Sequence, residues 1–469
     1  MGKLYKNIAL AILLNLTIKP INLLLENSVQ NSIGHEQYGL FAALNALAFL
    51  FIVLLDLGVN QFLTKKFAAE TGYAPDAFST YFSFKFVLAA IYPFFMVAVG
   101  YLIGYHTDEI ILLFLISLSY SFYQLLMYIR AKFQASQRFT IDSLASVSDK
   151  TFLIIGTLIL FTWGITLSNY IELRVVVMLL SLLVFVIPAI KLYTPESFSF
   201  QWNLRAWKDI VKQTYPFALI TVLFSLHDKI DQVMIERMLG EHASGLYAGA
   251  YRWMDAFMMF LWIILPMFFA RFAFFKNNPA DLSKIISMSQ IVSGIPMIFI
   301  SCFVWFYGEQ LFFLLGNSTP AEIAEMTSCL KILFGAVFIH AFFAAFGTLL
   351  SATGGEYFIN KMLIGSIVIN VVLNVILLPW LGISGAAVAT VISNIFISGS
   401  YVYFILRHKH AALDYSITVK LLLLAAITLV SFYTAHHFEL VWWLASTTTG
   451  ILVLFFSLAL NLHKSIHTF

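Results

Sequence analysis

Charge is scarce in this sequence. Asp, Glu, Lys and Arg make up 11% of its 469 residues, where a soluble domain carries roughly a quarter. That shortage excludes the set of soluble domains, about three, that the length would otherwise suggest. There are only two cysteines, Cys302 and Cys329, each inside an apolar run, which excludes a disulfide framework. No Gly-rich loop ends in Gly-Lys-Ser/Thr, so a P-loop ATPase is excluded. Neither a metal-ligand spacing nor a nucleophile motif of useful specificity is present, and no cofactor, metal or nucleic acid is expected. Long polar connections are missing too: the longest, 192–212 and 308–326, are too short for a soluble catalytic domain.

What the chain has instead is apolar length. Hydrophobic residues make up 61% of it, in runs of about twenty bounded by charge or turn residues, the length that spans a bilayer as a helix. About fourteen such spans are expected, among them 38–62, 213–237 and 244–271, giving an all-α integral membrane protein. Met1–Lys6 resembles the basic end of a signal peptide, but no small-residue cleavage site follows, so the first span is read as retained. With the N-terminus inside, alternate connections collect Lys65, Lys66, Arg130, Lys132, Arg205, Lys208, Arg271, Lys276, Arg407 and Lys464 on one side. The other side receives Glu36, Asp108, Glu241, Glu309 and Glu322, with Arg237 almost its only cation. Cytoplasmic loops are enriched in Lys and Arg, so a multi-pass protein of the bacterial cytoplasmic (inner) membrane with both termini cytoplasmic is expected.

The chain repeats itself. Gly34-His-Glu-Gln-Tyr-Gly39-Leu-Phe-Ala-Ala matches Gly240-Glu-His-Ala-Ser-Gly245-Leu-Tyr-Ala-Gly, each in the turn between two apolar segments. Trp163-Gly164 and Trp380-Leu-Gly382 follow in matching order. Six spans separate the copies, so corresponding spans run the same way across the membrane, as parallel repeats about an axis along its normal. The expected division is 1–191, a six-helix lobe; 192–212, a cytoplasmic linker; 213–406, a second six-helix lobe; and 407–469, two appended helices.

Three groups of residues carry a family resemblance. The first is Gly39-Leu-Phe-Ala, Leu55-Asp-Leu-Gly58 and Lys65-Lys-Phe-Ala68. The second is Lys229-Ile-Asp-Gln-Val-Met-Ile, Gly245-Leu-Tyr-Ala and Arg252-Trp-Met-Asp255. The third is Ser351-Ala-Thr-Gly, Asn370-Val-Val-Leu-Asn374, Pro379 and Gly382-Ile-Ser-Gly-Ala-Ala-Val-Ala-Thr390. Together they resemble the multidrug/oligosaccharidyl-lipid/polysaccharide (MOP) exporter superfamily, and within it the Wzx-type polysaccharide repeat-unit (O-antigen) flippases. The resemblance implies a MATE-like fold of two lobes around a cavity lined by spans one, two, seven and eight. It implies alternating-access translocation of undecaprenyl-pyrophosphate-linked oligosaccharides, in contact with membrane lipids. A monomer is expected, with a polysaccharide polymerase and a chain-length regulator as working partners. Lipid II flippases and cation-coupled multidrug exporters of the same superfamily are the nearest alternatives. A membrane polymerase or glycosyltransferase is the alternative from another class, and a non-transporting scaffold the blandest reading.

Charges inside spans are the candidate functional residues, because at that depth they must face protein or a wet cavity. Lys19, Arg252, Lys229 and Lys150 are candidates for binding a substrate phosphate, Arg252 foremost because its guanidinium fork matches phosphate oxygens. Asp228, Asp231, Asp255, Asp149 and Asp56 are candidates for ion coupling or for structural ion pairs, with H⁺ or Na⁺ left open as the coupling ion. An intrahelical pair with Asp255 competes for Arg252, and a pair with Asp228 or Asp231 for Lys229. Asp149 and Lys150 are neighbours in sequence and are expected to need separate partners. Asp56 is expected to cap packing against Asn60 or a neighbouring helix. Tyr247 and Tyr251 are candidates to stack on sugar rings, and Trp253 reads as an interface anchor. Arg174 and Lys331 read as snorkelling to an interface. His227 reads as a packing histidine, and His408 and His410 as part of a solvated basic loop.

Overall fold

The computed structural model describes every residue except 1, 61, 64–74, 137, 193–197, 409–410, 412–413 and 463–469. The Lys65–Ala68 motif, the start of the linker and His410 lie outside the described residues. Every element among those described is helical. In chain order the long helices are α1 (Gly2–Ile33), α2 (His35–Leu50), α3 (Pro75–Ile103), α4 (Thr107–Ala135), α5 (Phe139–Trp163), α6 (Leu167–Leu192) and α7 (Leu204–Leu239). They continue as α8 (Glu241–Phe274), α9 (Pro279–Tyr307), α10 (Pro320–Ala352), α11 (Glu356–Leu381), α12 (Ile383–Arg407), α13 (Tyr415–His437) and α14 (Trp442–Ala459). Eleven helices among the described residues are long and apolar enough to cross a membrane. The three others, α1, α2 and α7, bring the long helices to fourteen and hold many of the chain's intramembrane charges. Helices satisfy their own backbone groups, which is what a chain in hydrocarbon must do.

Helix starts follow local chemistry. Asn278 accepts from the Ala280 and Asp281 amides with Pro279 opening α9. Thr319 and Glu322 form a reciprocal capping box ahead of α10, with Pro320 at its first position. Side chains are sorted as a membrane protein requires: Phe94, Leu102, Trp163 and Trp380 are exposed, while Lys85, Asp231, Glu236, Asn370 and Asn374 are buried.

Two compact units emerge, 1–236 and 237–469. In the first, α4 packs on α3, α6 and α2, and α5 packs on α1 and α6. In the second, α10 packs on α9, α12 and α8, and α11 packs on α12. A shift of six helices carries the packing of α4 on α3, α6 and α2, and of α5 on α6, onto the second unit. Helix α13 packs on α9 and α14 on α13, additions without a counterpart in the first unit. The matched glycines confirm the register. Gly34 has φ 87°, ψ 163° and Gly240 has φ 94°, ψ 173°, a region essentially closed to residues with a Cβ. The Leu-aromatic pair after each turn is buried in its own unit, as Leu40 and Phe41 and as Leu246 and Tyr247.

One span departs from a simple rod. The run 38–62 does not form a single helix: α2 ends at Leu50, a short helix covers Val53–Asp56, and Leu57 (φ 46°) and Gly58 (φ 77°) turn the chain. The freed carbonyls find donors on other helices. The Tyr92 hydroxyl donates to the Ala48 carbonyl, Ser225 Oγ to that of Leu50 at 3.4 Å, and Lys85 Nζ to that of Leu55 at 2.8 Å.

Candidate functional site

The first unit gathers three polar clusters around its membrane-spanning helices. The first joins α1 to α5. Lys150 Nζ lies 3.0 Å from Asp149 Oδ2. The expectation that these two neighbours need separate partners is therefore corrected: the flexible four-carbon stem of Lys150 folds back onto the adjacent carboxylate. Lys19 on α1 sits within electrostatic range of both Asp149 and Lys150. It is half-buried and forms no hydrogen bond or ion pair with another described residue. Lys19 thus has a second lysine as well as an aspartate within range, and that lysine already holds the aspartate.

The second cluster binds α1, α2 and α6. Glu26 accepts from the Tyr38 hydroxyl at 2.7 Å, the Tyr170 hydroxyl at 2.9 Å and Arg174 Nη1 at 3.1 Å. The Arg174 guanidinium also lies over the Phe41 ring, 5.1 Å from its centroid. Arg174 therefore turns inward instead of snorkelling to an interface. The attraction of a carboxylate in a low-dielectric interior outweighs the reach of its stem towards water. Glu26, with no like charge on its helix face, was hidden among the polar residues ending α1.

The third cluster locks the break in α2. Lys85, 0% exposed, donates to Asp56 Oδ1 at 2.7 Å, to the Leu55 carbonyl and to Gln124 Oε1 at 3.4 Å. Asn60 Nδ2 donates to the same Gln124 oxygen at 2.9 Å, and the Asn60 amide to Asp56. The expectation that Asp56 engages Asn60 holds, but its main partner is Lys85, which sequence reasoning missed. A visible signal existed: Ser83-Phe84-Lys85-Phe86 sets one cation in an otherwise apolar run. Every donor of Lys85 is spent on a protein acceptor, so this cluster reads as structural.

On α7, Lys229 Nζ pairs with Asp228 Oδ2 at 3.1 Å and lies within electrostatic range of Tyr120. Asp231 is buried and engaged by its neighbours. His227 is part-exposed, with its Nε2 atom buried and without a hydrogen-bond partner among the described residues. In the second unit, Arg252 and Asp255 are part-buried on α8, and both are engaged by neighbours. Tyr247 is 1% exposed and rests against Tyr251, with ring centroids 5.4 Å apart. It belongs to the core of its unit, and its role as a sugar platform is withdrawn; Tyr251 keeps part of its surface. Trp253 is likewise buried and not an interface anchor. No group of three or more metal-ligating side chains occurs among the described residues.

The arrangement can do one thing in particular. In the cluster on α1 and α5 the cations outnumber the carboxylates, and an anion entering there would be welcomed by a charge already placed. The clusters at Glu26 and Lys85 are closed on themselves.

Comparison with solved structures places the fold. The chain is similar to the lipid II flippase MurJ in an inward closed conformation, with a TM-score of 0.77 and 16% identity over 96% of this chain and 98% of that one. It is similar to an inward-facing MATE-family multidrug resistance transporter of the MOP superfamily, with a TM-score of 0.65 and 13% identity over 86% of this chain and 98% of that one. A MOP superfamily transporter from Pyrococcus furiosus matches with a TM-score of 0.54 and 13% identity over 86% of this chain and 95% of that one. No curated protein matches significantly. The model of the polysaccharide biosynthesis protein family matches residues 4–270, more than half of the chain, and the chain therefore belongs to that family, with the fold of the MOP-superfamily transporters.

Proposed function

We propose that this protein is a flippase for oligosaccharides carried on a polyprenyl pyrophosphate, moving their headgroups across the cytoplasmic membrane by alternating access for surface polysaccharide assembly. The observation that carries the reading is the charge balance at α1 and α5: Lys19 has both Lys150 and Asp149 within electrostatic range, and Asp149 is already paired with Lys150. A pyrophosphate cannot enter hydrocarbon unneutralised, and a cation without a hydrogen-bonded partner supplies the neutralisation without first breaking an ion pair. Membership of the polysaccharide biosynthesis protein family supports the glycan. The sequence holds no P-loop, so the driving force is an ion gradient, the membrane potential or removal of the product. A potential of 100 mV contributes about 2.3 kcal/mol per elementary charge moved.

Lipid II transport is the second reading, favoured by coverage. The lipid II flippase matches 96% of the chain and the multidrug transporter 86%, a difference about as large as α13 and α14 together. The deciding experiment is translocation in proteoliposomes, offered a polyprenyl-pyrophosphate oligosaccharide, lipid II or a cationic drug in turn. The lipid-linked oligosaccharide is expected to move and the drug to stay. Movement of the drug alone would overturn the reading. Lys19→Arg is expected to keep most of the rate and Lys19→Met to lose most of it, with both normalised to folded protein.

A further inference from the structure

The second unit holds a feature that transport of a headgroup does not use. A groove of about 300 Å³ lies between α9, α10 and α13. Trp305, Phe338 and Leu429 form much of its wall, and Lys331 is its one charged residue. The groove opens near one end of the helices. Trp305 sits two residues before the end of α9 at Tyr307, and Lys331 lies eleven residues into α10, roughly 16 Å along its axis at 1.5 Å per residue. Trp305 and Leu429 are exposed, as are Leu422 and Tyr433 on the same appended helix, so this side of α13 faces hydrocarbon.

Lys331 is part-exposed and forms no hydrogen bond or ion pair among the described residues. The nearby hydroxyl of Ser301 is already donated to the Phe334 carbonyl at 3.4 Å, and no carboxylate lines the groove. An ammonium at that depth is unfavourable until an anion meets it. The rest of the wall is mostly apolar, which selects a ligand with a hydrocarbon chain over a free ion. A zwitterionic lipid brings its own cation towards Lys331, whereas an anionic one does not. We propose that the groove is a binding site for an anionic phospholipid of the surrounding bilayer, its acyl chain along Trp305, Phe338 and Leu429 and its phosphate at Lys331.

The test uses the full-length protein in mixed micelles with phosphatidylglycerol or phosphatidylcholine, and native mass spectrometry to count the lipids retained. Wild type is expected to retain the anionic lipid roughly five-fold better, the factor one lysine near a charged lipid surface supplies. Lys331→Gln is expected to bring phosphatidylglycerol down to the phosphatidylcholine level, and Lys331→Arg to keep the preference. Ala426 lines the groove and is exposed, so Ala426→Trp adds bulk there without entering the core, and is expected to lower retention of both lipids. Equal retention of the two lipids by wild type overturns the proposal, as does a preference unchanged in Lys331→Gln. Undiminished retention by Ala426→Trp overturns the groove as the chain's seat. The wild-type comparison and Ala426→Trp carry the test even where a Lys331 variant fails to fold.

Discussion

Lys19 and Lys85 are both lysines inside long, largely apolar helices, yet their surroundings assign them opposite roles. Lys85 has an acceptor for each of its hydrogens. Lys19 shares one aspartate with a second lysine that already holds it. Removing the first strands Asp56; removing the second strands nothing. Breaking a buried ion pair from one side typically costs about 3–5 kcal/mol, so Lys85→Met is expected to lower the melting temperature sharply, while Lys19→Met leaves it near wild type. Thermal melting of the two purified variants in one detergent separates them. Similar destabilisation by both would place Lys19 in the structural class and remove the support for an anion site. Composition and spacing made Lys19 legible, because a cation beside Pro20 in mid-span stands out. The pairing of Lys85 was not legible, because its partner lies 29 residues away on another helix.

At the scale of elements, the broken α2 and the glycine turns show how helices in lipid tolerate irregular backbone. Three side chains from α3 and α7 cover carbonyls that α2 and the short helix after it leave open. Tyr92→Phe removes one such donor from a buried acceptor and is expected to cost about 1–3 kcal/mol, measurable as a shift in melting temperature. Full retention of stability would mean that another donor serves Ala48. The turns make a sharper case. Gly34 and Gly240 share a backbone conformation in which a Cβ is strained by about 1–3 kcal/mol. No neighbouring heavy atom stands within 4 Å of a Cβ built at either site. Gly34→Ala and Gly240→Ala are therefore expected to destabilise by similar amounts through backbone strain alone. A loss at only one of them would argue that the two turns are not equivalent. The repeat was readable because two glycines six helices apart do the same geometric work. The break in α2 was not, because Leu57, a residue that rarely turns left-handed, begins it within the long run 38–62.

For the whole molecule, the fourteen helices and the one-sided distribution of cations make a joint claim about topology. Connections that alternate from the N-terminus carry Arg130, Arg205, Lys208, Arg271 and Arg407 on one side and Glu36, Asp108, Glu241 and Glu322 on the other. The helix boundaries agree: Arg271 falls in the last turn of α8 and Arg407 in the last turn of α12, while Glu241 and Glu322 fall in the first turns of α8 and α10. Lys and Arg near span ends set orientation by staying cytoplasmic. An even number of crossings then returns the C-terminus to the side of the N-terminus. The break in α2 is the decisive place for this topology, because a short, interrupted helix that did not cross would reverse every later connection. It would send Arg130, Arg271 and Arg407 to the side opposite the N-terminus, against the charge rule. Reporters active only in the periplasm, fused in the α2–α3 connection, the 192–212 linker and after Phe469, are expected to be silent at all three sites. A reporter in the α9–α10 connection is expected to be active. Activity after Phe469 would mean an odd number of crossings. Activity in the α2–α3 connection together with silence in that of α9–α10 would identify α2 as the helix that turns back.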